Sequence, residues 1–235
     1  VYRALRAADD DRARAFADDY RHATTANLLR LTRGAQVSAA LAEHGVTAVA
    51  LKGVAFILRF CAEHPGLRPM ADLDLLVPRA QYADAVAVLV ARGFVAADSE
   101  TRASRRAAHA GSFIDPAGAM PLDIDLHDAL APWPVATALT RRILDRHEPS
   151  GPWRIPALAD AFCVTALHRA RHAFSWSALD LFELKRTAVN LGDHEWGDVV
   201  DTCRRAHIAG AVWASYSQAV GWLGEDEGDA RRLAS

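Results

Sequence analysis

Two short apolar segments of the chain carry carboxylates at alternate positions, and this pattern restricts the fold more than any other feature. They are residues 68–77 (RPMADLDLLV) and residues 122–127 (LDIDLH). Both have the length and apolar character of β-strands, in which successive side chains point to opposite faces. Each segment therefore collects polar side chains on one face: Asp72 with Asp74, and Asp123 and Asp125 with His127. Aspartate is depleted in strands, so its recurrence here indicates a function rather than a contribution to stability.

If the two strands are neighbours in a sheet, three or four acidic side chains meet at one place. Such a cluster repels itself unless a cation neutralises it, and Mg²⁺ prefers hard oxygen ligands of this kind. The pattern therefore indicates a site for Mg²⁺, or for Mn²⁺, on Asp72, Asp74 and a carboxylate of the second strand. The alternative is that Asp72 and Asp74 lie on the solvated face of a half-exposed strand.

A Lys-Gly turn precedes the first acidic strand, within residues 46–60 (VTAVALKGVAFILRF). A short apolar strand is predicted to run into Gly53, where a helical pattern begins. Glycine allows the backbone to approach a ligand closely, and a helix N-terminus offers unpaired N–H groups to a phosphate. Lys52 is one of only two lysines among 27 lysine and arginine residues, and its compact ammonium suits a phosphate. An ordinary turn with a surface lysine is the alternative, since the Walker A spacing is absent.

In this order, the motifs resemble the nucleotidyltransferase superfamily with the polymerase-β-like fold. More closely, the chain resembles an uncharacterised bacterial nucleotidyltransferase family whose members carry Leu-Lys-Gly, Arg-Pro-x-x-Asp-x-Asp-Leu-Leu-Val and acidic-x-His motifs. Here these motifs stand at residues 51–53, 68–77 and 125–127. Residues 80–94 fit the helix and Gly-aromatic turn that follow the acidic strand in that family. The resemblance covers roughly residues 46–191.

The resemblance and the pattern of elements together predict an α/β (α+β) fold in four parts. N-terminal helices, two in number, occupy residues 1–45 and pack on a nucleotidyltransferase core with a mixed sheet at residues 46–131. Within the core, the polar stretch 102–120 is either a hairpin or a mobile loop. A Pro/Trp-rich connector at 132–157 leads to a C-terminal helical lobe at 158–235, with helix breaks at Gly192-Asp193 and Gly210. The lobe would form the second wall of a cleft.

The resemblance implies an enzyme that transfers a nucleoside monophosphate from an NTP to the hydroxyl, amine or phosphate of an acceptor and releases pyrophosphate. Asp72, Asp74 and Asp125 would hold Mg²⁺ and carry catalysis, because this chemistry depends on positioning and charge neutralisation. Relatives more often have Glu at the third position, and here Asp123 competes with Asp125 for that role.

The phosphates of the NTP would be held by Lys52, by the backbone of Gly53 and by Arg68. Arg68 has a second interpretation as a structural ion-pair partner of the acidic cluster. The wider superfamily places Ser or Thr after the turn glycine, whereas this chain has Val54. Lys52 or backbone amides would therefore replace the missing hydroxyl contact.

Four further residues are expected near the acceptor: His127, His168, His172 and Glu183. His127 would orient a carboxylate or relay a proton, or else it hydrogen-bonds a backbone carbonyl at the strand end. His168 and His172 share one helix face at a spacing that also occurs in zinc sites, but no third ligand is evident. Histidines buried between helices are the alternative for this pair, and Asp180 is the alternative for Glu183.

Composition limits the partners. The net charge of −2 does not require nucleic acid, so an NTP and a small-molecule acceptor are favoured. The three cysteines are widely spaced, which indicates a reducing cytoplasm. The sequence has no evident signal peptide and no apolar run of membrane-spanning length, so a cytoplasmic protein is expected. The alternatives are a toxin-like nucleotidyltransferase acting on tRNA or protein, and an inert nucleotide-binding module.

Overall fold

The computed structural model describes residues 13–97, 110–117, 120–130, 137–174 and 177–224. Within these residues lie eight α-helices, seven β-strands and two 3-10 turns. The helices are α1 (Ala13–Glu43), α2 (Lys52–Phe60), α3 (Tyr82–Ala91), α4 (Thr137–Arg146), α5 (Leu158–Arg171), α6 (Ala178–Ala188), α7 (Asp193–Ala206) and α8 (Ala209–Leu223). The strands are β1 (Val49–Ala50), β2 (Leu73–Leu76), β3 (Val95–Ala96), β4 (Ala110–Asp115), β5 (Leu122–His127), β6 (Glu148–Ser150) and β7 (Trp153–Ile155). The 3-10 turns are Pro65–Leu67 and Arg79–Gln81.

Five strands form a mixed sheet in the order β1-β2-β5-β4-β3. Strands β2 and β5 are parallel, and the other neighbours are antiparallel. This sheet and its flanking helices confirm the predicted α/β class. Along β2, Leu73 and Leu75 are buried in one hydrophobic core, so Asp74 and Leu76 face the opposite side of the sheet. Within the described residues of the polar stretch 102–120, residues 110–115 form β4. Strands β4 and β5 pair antiparallel as the first and second strands of a hairpin.

Two hydrophobic cores lie on the two sides of the sheet. The first packs α1, α2 and α3 against the face that carries Leu73. The second packs the C-terminal helices around Phe162, whose ring centroid lies 5.7 Å from that of Tyr216. Strands β1 and β2 contribute Val49 and Leu76 to this second core. The C-terminal helices therefore pack directly on the side of the sheet that carries Asp74.

In the N-terminal region the structure describes one 31-residue helix, α1, and residues 1–12 of the predicted pair of helices lie outside the described residues. Two other segments differ from the expectation. The predicted connector contains α4 and the β6–β7 hairpin, because Leu139 and Ile143, four residues apart, give α4 a buried apolar side. The last helix break falls at His207, whose φ is 55°, and Gly210 lies in the first turn of α8.

Some predicted features lie outside the described residues. They are residues 1–12, residues 102–109 and 118–119 of the polar stretch, the connector residues 131–136, and residues 175–176 and 225–235 of the C-terminal lobe. None of the described helices is both long enough and apolar enough to cross a membrane.

Candidate active site

Asp74 on β2 and Asp125 on β5 lie opposite each other in the parallel register. With His127, two residues further along β5, they offer three ligand atoms that all lie within 4.8 Å of one another. We call these residues the Asp–Asp–His cluster, and it is the one such group of three or more His, Cys, Asp or Glu side chains within the described residues. Two carboxylates at this separation fit a hard divalent cation such as Mg²⁺ or Mn²⁺.

Asp74 is the most buried carboxylate of the cluster, with 4% of its side chain exposed. Its Oδ1 atom accepts hydrogen bonds from Lys52 Nζ at 2.7 Å and from His127 Nε2 at 2.9 Å. Burial by itself would raise the pKa of Asp74, but the hydrogen bonds and positive charge of these two partners hold it well below its usual range. Asp74 is therefore ionised at neutral pH despite its burial.

His127 supports the cluster from the same strand. Because a carboxylate can only accept, the ring nitrogen Nε2 donates to Asp74 and is not free to bind a cation in this arrangement. The other ring nitrogen, Nδ1, is buried and has no hydrogen-bond partner among the described residues. The geometry thus makes His127 the residue that orients Asp74, and it leaves the carboxylate oxygens as the atoms that could hold a cation.

Asp125 is held by Ser112, its register partner on β4, whose hydroxyl donates a hydrogen bond to Asp125 Oδ1. The sequence did not single out Ser112 as a site residue. The register of the β4–β5 hairpin could have indicated it, because a serine directly opposite a carboxylate on the neighbouring strand lies on the same face of the sheet. Asp123, the competitor for the third position, is exposed and lies outside the cluster.

Asp72 immediately precedes β2 and also lies outside the cluster. Burial raises the pKa of its carboxyl, and the negative charges of Asp74 and Asp125 add to this effect, while Lys52 opposes it. Asp72 is therefore close enough for the charges of the cluster to change the pKa of its carboxyl. Of the three carboxylates predicted to hold the metal, the structure brings two together and places the third beside them.

The Lys-Gly turn lies against the same strand. The Leu51 N–H donates to the Asp74 carbonyl at 2.9 Å, and Lys52 then begins α2 with a φ of 42°. Gly53 allows close packing, because a Cβ there would lie 2.5 Å from Arg68 Nη1 and 2.9 Å from Met70 Sδ and these side-chain ends would have to shift. The turn therefore aims Lys52 into the cluster and leaves room behind it for a guanidinium.

Arg68 makes a buried ion pair with helix α6 of the C-terminal lobe. Its Nε atom donates to Glu183 Oε1 on α6 at 2.5 Å, and the two side chains are 12% and 3% exposed. Asn27 of α1, fully buried, holds the Arg68 backbone by donating to its carbonyl at 2.7 Å. The ion-pair interpretation of Arg68 thus matches this contact, although its partner is Glu183 rather than the acidic cluster.

His168 and His172 lie on one face at the end of α5, with ring centroids 4.4 Å apart. His168 lines a small cavity together with Lys52, His127 and Arg171. Burial lowers the pKa of His168 to about 3, and the nearby positive charge of Lys52 adds to the effect, so its imidazole is neutral at physiological pH. Among the described residues, no third side chain joins this pair at metal-ligand distance, so the zinc alternative has no complete ligand set.

Comparison with known proteins adds to this geometry. The model of a family described as uncharacterised nucleotidyltransferase matches residues 1–224. The solution structure of the antibiotic-resistance factor ANT(2'')-Ia aligns with 78% of this chain and 95% of its own length, at 12% identity and a TM-score of 0.53, which shows the shared fold. A crystal structure of ANT(2'')-Ia in complex with adenylyl-2''-tobramycin aligns with 81% and 98%, at 14% identity and a TM-score of 0.46. No curated protein sequence matches the chain significantly.

Proposed function

Because the chain belongs to the uncharacterised nucleotidyltransferase family and is a nucleotidyltransferase, we propose that its reaction is metal-dependent transfer to a small molecule. A nucleoside monophosphate would move from an NTP to a hydroxyl, amine or phosphate of the acceptor, and pyrophosphate would leave. The observation that carries this proposal is the pairing of Asp74 with Asp125 on adjacent parallel strands, within 4.8 Å of each other.

Asp74 and Asp125 would hold Mg²⁺ or Mn²⁺. Such a cation neutralises the charge of the triphosphate and polarises the phosphorus under attack. His127 and Ser112 keep the two carboxylates in position, each through one hydrogen bond. Fixed ligands matter because phosphoryl chemistry depends on positioning more than on covalent help from the protein.

In the proposed reaction the acceptor atom forms a bond to the α-phosphorus, and the bond from that phosphorus to the pyrophosphate oxygen breaks. The proton of the acceptor passes to a carboxylate. Asp125 is one candidate for this base, and Asp72 is the other, because its raised pKa is closer to that of an efficient general base. Lys52 and the amides at the start of α2 would face the triphosphate. The Nε atom of Arg68 donates to Glu183 and is therefore not available to the triphosphate.

The acceptor would enter between the sheet and the C-terminal lobe. Lys52 lines two small cavities there: one contains Phe56 and Glu183, and the other contains His168 and Arg171. Each cavity has a volume of about 20 Å³, the room of about one water molecule, so the acceptor would have to widen this space. A small molecule is favoured by the net charge of −2, which provides no excess of positive charge for nucleic acid. Neutral His168 would meet the acceptor as a hydrogen-bonding group rather than as a charge.

A thermal-shift experiment tests this function without knowledge of the acceptor. Each of the four NTPs is added with and without Mg²⁺, and we expect the melting temperature to rise only with both present, by about 5 °C at a hundredfold excess over Kd. Asp74→Asn should abolish the shift and retain the circular-dichroism spectrum of the folded protein. Asp123→Asn is the matched control, because this exposed carboxylate lies on the neighbouring strand β5 but outside the cluster.

Two results would count against the proposal. One is the absence of a shift with any of the four NTPs in the presence of Mg²⁺. The other is an equal loss of the shift in Asp74→Asn and Asp123→Asn, which would mean that the cluster is not the binding centre. Once the NTP is known, transfer of its α-³²P label to candidate acceptors identifies the second substrate.

A further inference from the structure

The Asp–Asp–His cluster already contains a cation of its own. The Lys52 ammonium lies 2.7 Å from Asp74 Oδ1, and this same oxygen also accepts the hydrogen bond from His127. The Asp74 side chain is 4% exposed, whereas that of Lys52 is 26% exposed. The charge of the buried carboxylate is therefore compensated by a side chain that reaches it from a more exposed position.

The backbone around Lys52 is built to direct this contact. Lys52 has a φ of 42°, in the left-handed region that a non-glycine residue rarely adopts and that stores strain. The residue before it is tied to Asp74 through its backbone N–H, and the residue after it is packed against Arg68 and Met70. An unstrained turn would suffice for a surface lysine, so the surrounding structure holds Lys52 in a position with a specific use.

Lys52 borders two small cavities, one beside Phe56 and Glu183 and the other beside His168. Each has a volume of about 20 Å³, enough for one water molecule, and an ammonium group that leaves Asp74 needs about the same room. Lysine has a flexible four-carbon stem, so its ammonium can move by several ångströms while its backbone stays fixed.

We infer that Lys52 is the resident counter-cation of the cluster and couples metal binding to polyphosphate binding. This inference rests on the proposed function, because the anion that draws Lys52 away is the polyphosphate of the nucleotide. A divalent cation arriving alone meets an ammonium on Asp74 and is repelled by it. When a polyphosphate arrives, the ammonium pairs with a phosphate oxygen and frees Asp74 Oδ1 for the metal. The protein would thus favour the metal–polyphosphate complex over the free metal.

Titration of Mn²⁺ alone, followed by electron paramagnetic resonance, tests the first half of the inference. Lys52→Met removes the ammonium, and we expect it to bind Mn²⁺ at least about tenfold more tightly than the wild type. Lys52→Gln should behave in the same way, and it retains a hydrogen-bond donor for Asp74 in case the methionine variant folds poorly. Lys185→Met, which removes the other lysine of the chain, is the matched control and should bind Mn²⁺ as the wild type does.

Binding of tripolyphosphate without metal, measured by calorimetry, tests the second half. The Lys52 variants should bind it at least about tenfold more weakly than Lys185→Met. The inference is overturned if the Lys52 variants bind Mn²⁺ no more tightly than the wild type, or if they bind tripolyphosphate as well as Lys185→Met does. Neither measurement uses a nucleotide. Tighter Mn²⁺ binding in Lys52→Met would stand even if the thermal-shift experiment showed that no NTP binds.

Discussion

Replacing Glu183 distinguishes two ways in which its buried ion pair with Arg68 can affect stability. Glu183 lies on α6 of the C-terminal lobe, and Arg68 lies in the segment that leads into β2. The pair is almost fully removed from water, with side chains that are 3% and 12% exposed. Removing a carboxylate from water costs free energy, and the attraction to Arg68 returns part of it.

The pKa of Glu183 gives the sign of the balance. Burial raises it above the ordinary value of 4.5, although Arg68 acts in the opposite direction. The folded protein therefore binds this proton more tightly than the unfolded chain does, and ionisation of Glu183 lowers the stability as the pH rises through its folded pKa. Glutamine has the shape of the protonated acid and still accepts the Arg68 hydrogen bond. Glu183→Gln should leave the free energy of unfolding at pH 7 within about 1 kcal/mol of wild type, on the stabilising side.

Glu183→Ala removes the acceptor as well as the charge. It leaves the Arg68 Nε–H without its partner and opens a cavity at a site that is 3% exposed. We expect this variant to lose about 2–4 kcal/mol of unfolding free energy. The contrast between glutamine and alanine therefore separates packing and hydrogen bonding from charge.

Urea unfolding followed by tryptophan fluorescence measures both variants. The difference between wild type and Glu183→Gln should shrink as the pH falls below 4.5, where Glu183 of the wild type becomes protonated in both states. Asp18→Asn, in a pair with Arg21 whose side chains are 71–90% exposed, is the control and should change stability by less than about 0.5 kcal/mol. If Glu183→Gln costs as much as Glu183→Ala at pH 7, the charge attraction dominates and this reasoning is wrong.

Two further predictions concern hydrogen bonds to carboxylates. Ser112→Ala removes the donor to Asp125 and should weaken Mn²⁺ binding about tenfold in a calorimetric titration. Ser217→Ala is the control: this half-buried serine of α8 donates its hydroxyl to the Trp213 carbonyl, and its loss should not change Mn²⁺ binding. Equal effects of the two variants would contradict the role assigned to Ser112. The hydrogen bond from Arg146 lowers the pKa of Asp198 from 3.8 to about 2, so Asp198 stabilises the fold above about pH 4 and this contribution is lost as the pH falls to 2. Asp198→Asn should reduce the acid dependence of the urea midpoint in this window, and an unchanged slope would contradict the assignment.

The alternation of residues was sufficient to predict the carboxylate-bearing face of the sheet. Leu73 and Leu75 on β2 are buried on one side, so Asp74 must face the other, and the same period applies to Asp125 on β5. The pairing itself could not be predicted in this way. Whether Asp74 lies opposite Asp125 or opposite Asp123 depends on the parallel register of two strands that are distant in sequence, and tertiary packing decides that register.

The ion pair between Arg68 and Glu183 could not be predicted either, because it also depends on tertiary packing. Arg68 and Glu183 are 115 residues apart, and either side chain had several plausible partners in the sequence. Which two side chains form the ion pair depends on how the C-terminal lobe packs on the sheet. A local signal is absent, because an ion pair leaves no periodicity along the chain and its partners are brought together only by the packing of the two cores.

The Lys-Gly turn was predicted to hold phosphates, and in the structure its two residues have different conformational roles. Glycine usually supplies the left-handed backbone of a turn, but here Lys52 has the positive φ, and Gly53 leaves room for Arg68 Nη1, which lies 2.5 Å from the position a Cβ would take. Arg68 in turn is held by Glu183 of the opposite wall. The turn, the Arg-Pro segment and α6 are thus one connected unit, in which a contact with the C-terminal lobe determines the room available behind Lys52. We therefore expect a change in the packing of α6 to alter the position of Lys52 beside the Asp–Asp–His cluster, through Arg68 and the turn. Helix α6 itself contributes no side chain to that cluster.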